Sequence, residues 1–199
     1  MRHGRLVGAV AGISWLVAVA AGLAVLWSYE NAPGIPATPP DHWPAASSLR
    51  RLPGVATLVM LVHPRCPCSR ASLEELDRLM AHIPGVLLAH VVFVKPAGLP
   101  EDWEQTDLWR RAAAIPGISL TRDDGGAEAR LFGAATSGQT VVYDGDGRLL
   151  FGGGITAARG HEGDNAGRSA IVSLLASRGA APTSTPVFGC SLLGTQGGV

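Results

Sequence analysis

Cys66-Pro67-Cys68 places two thiols around a proline, with His63, Arg65, Ser69 and Arg70 beside them. Paired thiols suit two chemistries: exchange of disulfides, or binding of a soft metal ion. A helix N-terminus and nearby cations favour thiolate over thiol, so Arg65 and Arg70 are expected to lower the pKa of the pair. A Cys66–Cys68 disulfide would close a small ring across Pro67, and a strained bridge is easily reduced. Because it spans so short a loop, it would add little stability. His63 is within sequence reach as a partner or as a bystander. The plain alternative is a pair of inert core cysteines, since free Cys packs as a small hydrophobe.

The flanking sequence positions these thiols. Residues 55–62 form an almost unbroken apolar run, the pattern of a strand buried on both faces in a parallel sheet. After the cysteines, Leu73, Leu76, Met80 and Ile83 recur at helical spacing. Ser72 with Glu75 has capping-box spacing, Ser69 could cap one turn earlier, and Pro84-Gly85 ends the helix. The thiols are thus expected at the C-terminal end of a central strand where a helix begins, the place where open α/β sheets bind ligands.

This corner resembles the active site of the thioredoxin superfamily, with Cys-Pro-Cys in place of the usual Cys-x-x-Cys. The rest of the chain fits the α/β order such a fold requires: β-α-β, an insertion, then β-β-α. Residues 86–94 read as a second central strand, with His90 as a satisfied core histidine. Residues 102–114 read as a helix, 118–121 as a strand, 123–126 as a loop and 127–132 as a short helix. This helix–strand–helix segment resembles the insertion of TlpA-like and peroxiredoxin-like members. Asp144-Gly145-Asp146-Gly147 between residues 139–143 and 148–151 signals a hairpin. Asp164 or Asn165 is expected to cap a final helix running to Ser177, with Gly179 as its stop. Two departures from the superfamily stand out. The C-x-C spacing does not carry over the usual attacking and resolving roles. Where the superfamily has a cis-proline before the hairpin, this chain has Thr136-Ser137-Gly138-Gln139.

The chain balances 16 basic against 16 acidic side chains, with Lys95 the only lysine, and no basic patch interleaved with aromatics suggests nucleic acid. Residues 6–27 carry no charge, and as a helix they would span ~33 Å, enough for a hydrocarbon core. Arg2 and Arg5 precede the run while Glu30 and Asp41 follow it, so the positive-inside rule places the N-terminus in the cytoplasm. The expected organisation is a transmembrane signal anchor (1–28), a Pro-rich linker (29–52), a thioredoxin-like domain (53–178) and a tail (179–199). The linker should act as a semi-extended spacer. A cleaved signal peptide is the alternative, although the apolar run is longer than a usual signal core.

The Cys66-Pro67-Cys68-Ser69 stretch, Thr136-Ser137-Gly138, the Gly-Gly-Gly-Ile-Thr and Arg159-Gly160-His161 segments and Gly189-Cys190 together look like bacterial RedB-type proteins. That resemblance implies a single-pass protein of the bacterial inner membrane with its domain in the periplasm. The activity implied is thiol–disulfide oxidoreduction on protein thiols and disulfides outside the cytoplasm, with Cys66, Cys68 and Cys190 catalytic and no cofactor. A second reading resembles the SCO family of copper chaperones, with Cys66, Cys68 and His161 holding Cu(I). A third is an assembly factor whose fold only docks partners. Cys190 lies eleven residues after Gly179, a reach of ~36–40 Å when extended, so the tail can return to the thiol corner. Pro182 and Pro186 would keep it extended, and Gly189 allows close backbone approach. A frayed tail with an incidental thiol is the alternative.

Overall fold

The computed structural model describes residues 2–176 and 181–193 and divides the chain into two units, Met1–Ala32 and Pro33–Val199. The first unit is one helix, α1 (Arg2–Glu30). Its Leu6–Glu30 stretch, 25 residues whose most apolar part has a mean hydropathy of 2.3, is long and apolar enough to cross a membrane by length and composition.

In the second unit the chain runs β1 (Ala56–Val62), α2 (Ser69–His82), β2 (Leu87–Lys95), α3 (Asp107–Ala114), β3 (Ile118–Asp124), α4 (Ala127–Leu131), β4 (Gln139–Tyr143), β5 (Leu149–Gly153) and α5 (Ala166–Leu175). The sheet order is β3-β2-β1-β4-β5. β2 runs parallel to both β1 and β3, while β4 is antiparallel to β1 and β5. This is a thioredoxin-like α/β fold, with α3-β3-α4 as the insertion between its two halves.

The apolar run of β1 is explained by two cores. Successive strand side chains point to opposite faces. Leu58, Met60 and Val62 join Leu73, Leu76 and Leu79 of α2 and Ile171 of α5 on one face. Val59 and Leu61 join Phe132, Val141 and Tyr143 on the other. His90 is buried, with Nε2 2.8 Å from the Arg50 carbonyl oxygen, and burial holds it below the ordinary imidazole range.

Several local expectations are corrected. α2 begins at Ser69 with Cys68 as its N-cap residue, and no side-chain cap hydrogen bond forms. The Ser72–Glu75 capping box does not form either, because Glu75 is fully buried and serves another partner set. It accepts from Arg78, Arg168, Asn165 and the Gly163 N–H, tying α2 to the loop before α5. α3 is shorter than expected, starting at Asp107. β3 is longer, because pairing with β2 continues through Lys95↔Asp124 into the acidic segment expected to be a loop. Asn165 caps α5 by accepting the Arg168 N–H at 2.7 Å. The expected helix end at Ser177 and stop at Gly179 lie outside the described residues.

The Pro-rich stretch was expected to be a semi-extended spacer, but residues 33–51 fold against the sheet. Trp43 meets Phe132 and Tyr143 edge-on at 5.1 and 5.4 Å. Such aromatic pairs add ~0.5–1.5 kcal/mol each beyond their burial. Tyr143 Oη donates to the Pro40 carbonyl at 3.0 Å, and Ser47 and Ser48 donate to the buried Glu128 carboxylate. Composition marked this stretch as linker; its aromatic and hydroxyl side chains make it part of the fold.

The described part of the tail is equally engaged. Gly152 N–H donates to the Thr183 carbonyl at 2.9 Å and Thr185 Oγ1 donates to the Gly154 carbonyl at 2.7 Å. A side chain at Gly153 would collide with Thr185, and one at Gly154 would collide with Pro186. The Gly152-Gly153-Gly154 run is therefore where the tail lies directly on β5. Leu192, 1% exposed, anchors the far end of the tail in the second core.

Candidate functional site

The turn from β1 into α2 is built mostly from its own backbone. Cys66 N–H donates to the His63 carbonyl at 3.1 Å, and Ser69 N–H donates to the Cys66 carbonyl at 3.1 Å. Thr106 Oγ1 fastens the Pro64 carbonyl from outside the turn at 2.9 Å. Because β4 runs antiparallel to β1, the residues entering β4 stand beside the residues leaving β1. Ser137 occupies that position. Its hydroxyl accepts the His63 N–H at 2.7 Å and lies 2.7 Å from Ser69 Oγ, clamping both ends of the turn.

The same Ser137 segment holds the tail. Ser137 N–H donates to the Cys190 carbonyl at 2.8 Å, Leu192 N–H donates to the Ala135 carbonyl at 2.9 Å, and Thr136 bridges Ser191 antiparallel. Arg159 Nη1 donates to the Gly189 carbonyl at 2.6 Å. These bonds bring Cys190 Sγ to 2.9 Å from Cys66 Sγ, with the Cys190 N–H 3.4 Å from the same sulfur. All three cysteines are free thiols. Cys66 is 1% exposed and Cys68 8%, whereas Cys190 is half-buried.

Electrostatics separates the three sulfurs. Hydrogen bonding with Cys190, then with Cys68, holds Cys66 far below the ordinary thiol range, against the opposing effect of burial. Cys190 is pushed far up by its hydrogen bonds with Cys66 and Cys68 and by burial. Cys68 is drawn down by Cys190, but its hydrogen bond to Cys66 and its burial outweigh that, and the net shift is upward. Of the three sulfurs, Cys66 is thus the one whose environment most favours the thiolate. The flanking arginines do not play the expected part: Arg65 lies 5.1 Å over the Trp103 ring, and Arg70 pairs with Asp107. A cation that does act on the cluster is Arg159, which opposes the upward shift at Cys68.

His63 also packs on Trp103, ring to ring at 5.4 Å, and its Nδ1 accepts the Arg65 N–H at 3.2 Å. Burial lowers its pKa, with the Cys66 charge acting in the other direction. His161 is exposed, with Nδ1 3.1 Å from the Arg159 carbonyl. Among the described residues no three His, Cys, Asp or Glu side chains form a group able to hold a metal, so Cys66, Cys68 and His161 do not assemble the expected copper site.

Sequence reasoning singled out the stretches holding Ser69, Ser137 and Arg159 but not what these side chains do at this corner, and it missed Leu192. The available signal was topological: a strand antiparallel to β1 must begin beside the thiols. Leu192 carried no local pattern.

No family model and no curated protein matches the chain. Among solved structures, an uncharacterized conserved protein from Geobacillus kaustophilus is 19% identical with a TM-score of 0.60, over 84% of this chain and 95% of that one. A hypothetical protein from Sinorhizobium meliloti is 24% identical with a TM-score of 0.56, over 72% and 82%. A thioredoxin-like protein solved in solution in its oxidized form is 14% identical with a TM-score of 0.47, over 75% and 97%. The first two likenesses are of fold, and they extend over most of the length of this chain.

Proposed function

We propose that this chain is a membrane-anchored thiol–disulfide oxidoreductase of the RedB type, held by α1 in the bacterial inner membrane with its folded unit in the periplasm. Its substrates are protein thiols and disulfides outside the cytoplasm, and Cys66, Cys68 and Cys190 are its reactive groups. The observation that carries the reading is the 2.9 Å approach of Cys190 Sγ to Cys66 Sγ, made by residues 124 positions apart. A hydrogen-bonded thiol–thiolate pair is the reduced half of an exchangeable disulfide, and a low thiolate pKa in a buried corner is how proteins make one sulfur react selectively. No metal ion is needed for this chemistry. The charge distribution around residues 6–27 supports the orientation.

The test is exchange itself. The purified full-length chain should reduce an insulin-like disulfide substrate or oxidise a dithiol peptide, in the presence of a chelator. A chain that neither exchanges disulfides nor loses anything on replacement of Cys66 by Ser would refute the reading. Copper bound at one equivalent per chain and weakened by His161→Ala would favour the copper chaperone instead.

A further inference from the structure

The three thiols do not share access to solvent. Cys66 is 1% exposed and Cys68 8%, so both present little surface to a protein substrate. What covers Cys66 is the tail, and the tail is fastened on both sides of Cys190. Arg159 holds Gly189, Ser137 N–H holds the Cys190 carbonyl, Leu192 N–H bonds Ala135, and the Leu192 side chain is sunk in the core. Gly189 lies directly on the Ser137 carbonyl, where any side chain would collide. The covering is therefore built in. Cys190 itself is half-buried, the most open of the three cysteines, and its Sγ touches Cys66 Sγ.

We propose that Cys190 is the sulfur that meets the substrate, and that Cys66 is the buried sulfur with which it forms the working disulfide. This rests on the thiol-exchange reading above and gives the substrate-facing role to the tail. In the oxidised protein the bridge is Cys66–Cys190. A thiolate of a substrate dithiol attacks Cys190 Sγ, the Cys66–Cys190 bond breaks, and Cys66 leaves as a thiolate. The second substrate thiol, once deprotonated, attacks the substrate sulfur of the mixed disulfide and forms the substrate's own disulfide. Cys190 is released and takes up a proton. Two electrons pass from substrate to protein, and a disulfide-bearing partner restores the bridge by the reverse steps. The leaving sulfur is the one best able to carry the negative charge: Cys66 Sγ accepts the Cys190 backbone N–H at 3.4 Å and lies next to the start of α2. Exchange is fastest when the departing thiol has the lower pKa, and a stabilised reduced form makes the bridge an oxidant. The substrate class is a protein segment with two cysteines free to approach an exposed strap.

The test uses the full-length chain in detergent, oxidised by a low-molecular-weight disulfide. A peptide with one cysteine is added, the reaction is stopped with acid within seconds, and the mixed disulfide is mapped by proteolysis and mass spectrometry. The expected adduct lies on Cys190, at least tenfold over Cys66. An adduct mainly on Cys66 overturns the proposal, as does an oxidised form bridged through Cys66–Cys68. In parallel, Cys190→Ser should slow oxidation of a dithiol peptide at least a hundredfold. A Cys190→Ser chain that oxidises the peptide at the unmodified rate overturns this inference and leaves thiol exchange through Cys66 standing. A wild-type chain that exchanges with no thiol overturns both.

Discussion

Gly189 rests on the carbonyl of Ser137 so closely that a β-carbon there would overlap the oxygen, and the thiol contact between Cys190 and Cys66 depends on that fit. Gly189→Ala should lift the tail from the turn. Forced overpacking of this kind costs ~1–3 kcal/mol. The expected outcome is a lower unfolding midpoint together with at least tenfold faster alkylation of Cys66 by a small reagent. Unchanged alkylation would mean that the tail does not control access.

The cluster should leave a signature in stability against pH. Cys66 is depressed in the folded chain, by the Cys190 thiol first and Cys68 next. A depressed acid adds stability that is complete above its unfolded value, ~8.5 for a thiol, and is lost as pH falls toward the folded value. Cys190 is raised by its hydrogen bonds to Cys66 and Cys68, so its contribution is complete below ~8.5 and is lost as pH rises through the folded value. The cluster therefore stabilises most near the ordinary thiol pKa. The midpoint difference between the reduced chain and Cys66→Ser should widen from about pH 5 to about pH 8 and narrow above about pH 9. Ultraviolet absorbance of a thiolate should persist into mild acid and vanish in Cys66→Ser. A difference that shrinks between pH ~5 and ~8 would contradict the assignment of the thiolate to Cys66.

Ser137→Ala removes the acceptor of the His63 N–H and the partner of Ser69 Oγ. Leaving a buried donor unpaired costs ~1–3 kcal/mol. Chemical denaturation should show a loss in that range, with Ser137→Thr restoring part of it. A neutral effect would mean that water replaces the hydroxyl.

Glu75 predicts a separation between folding and chemistry. Its buried carboxylate gathers Arg78, Arg168, Asn165 and the Gly163 N–H. Removing one partner of a buried charged network costs ~3–5 kcal/mol. Glu75→Ala should therefore lower stability strongly while the reactivity order of the three thiols in the folded fraction stays the same. A changed order would show that the α5 loop also positions the sulfurs.

What the sequence made legible follows from how local each signal is. The apolar run of β1, the helical spacing of Leu73, Leu76, Met80 and Ile83, and the hairpin around Gly145 depend on near neighbours, and they read clearly. The order of elements, and with it the fold, followed from them. The turn at Cys66-Pro67-Cys68 was legible as a strand-to-helix corner for the same reason. Residues 33–51 read as spacer because five prolines leave no periodicity; what binds them is Trp43 against Phe132 and Tyr143, contacts formed only across the chain. Arg65 and Arg70 were credited with lowering the thiol pKa because sequence shows adjacency but not direction; in space they turn to Trp103 and Asp107. The tail's reach could be computed from its length, but not the bonds from Ser137 and Arg159 that hold it.

The glycine run of β5 carries a consequence for the behaviour of the chain in solution. β5 is an outer strand of the sheet, and Gly152, Gly153 and Gly154 leave its flank without side chains to repel another backbone. Bare strand edges of that kind recruit neighbouring molecules into intermolecular sheets. The tail lies along this flank at Thr183–Thr185, so it acts as the protein's own guard against self-association. A chain shortened after Gly179 should accordingly precipitate or elute as higher-order species, with thioflavin-positive aggregates, under conditions where the full chain stays dispersed.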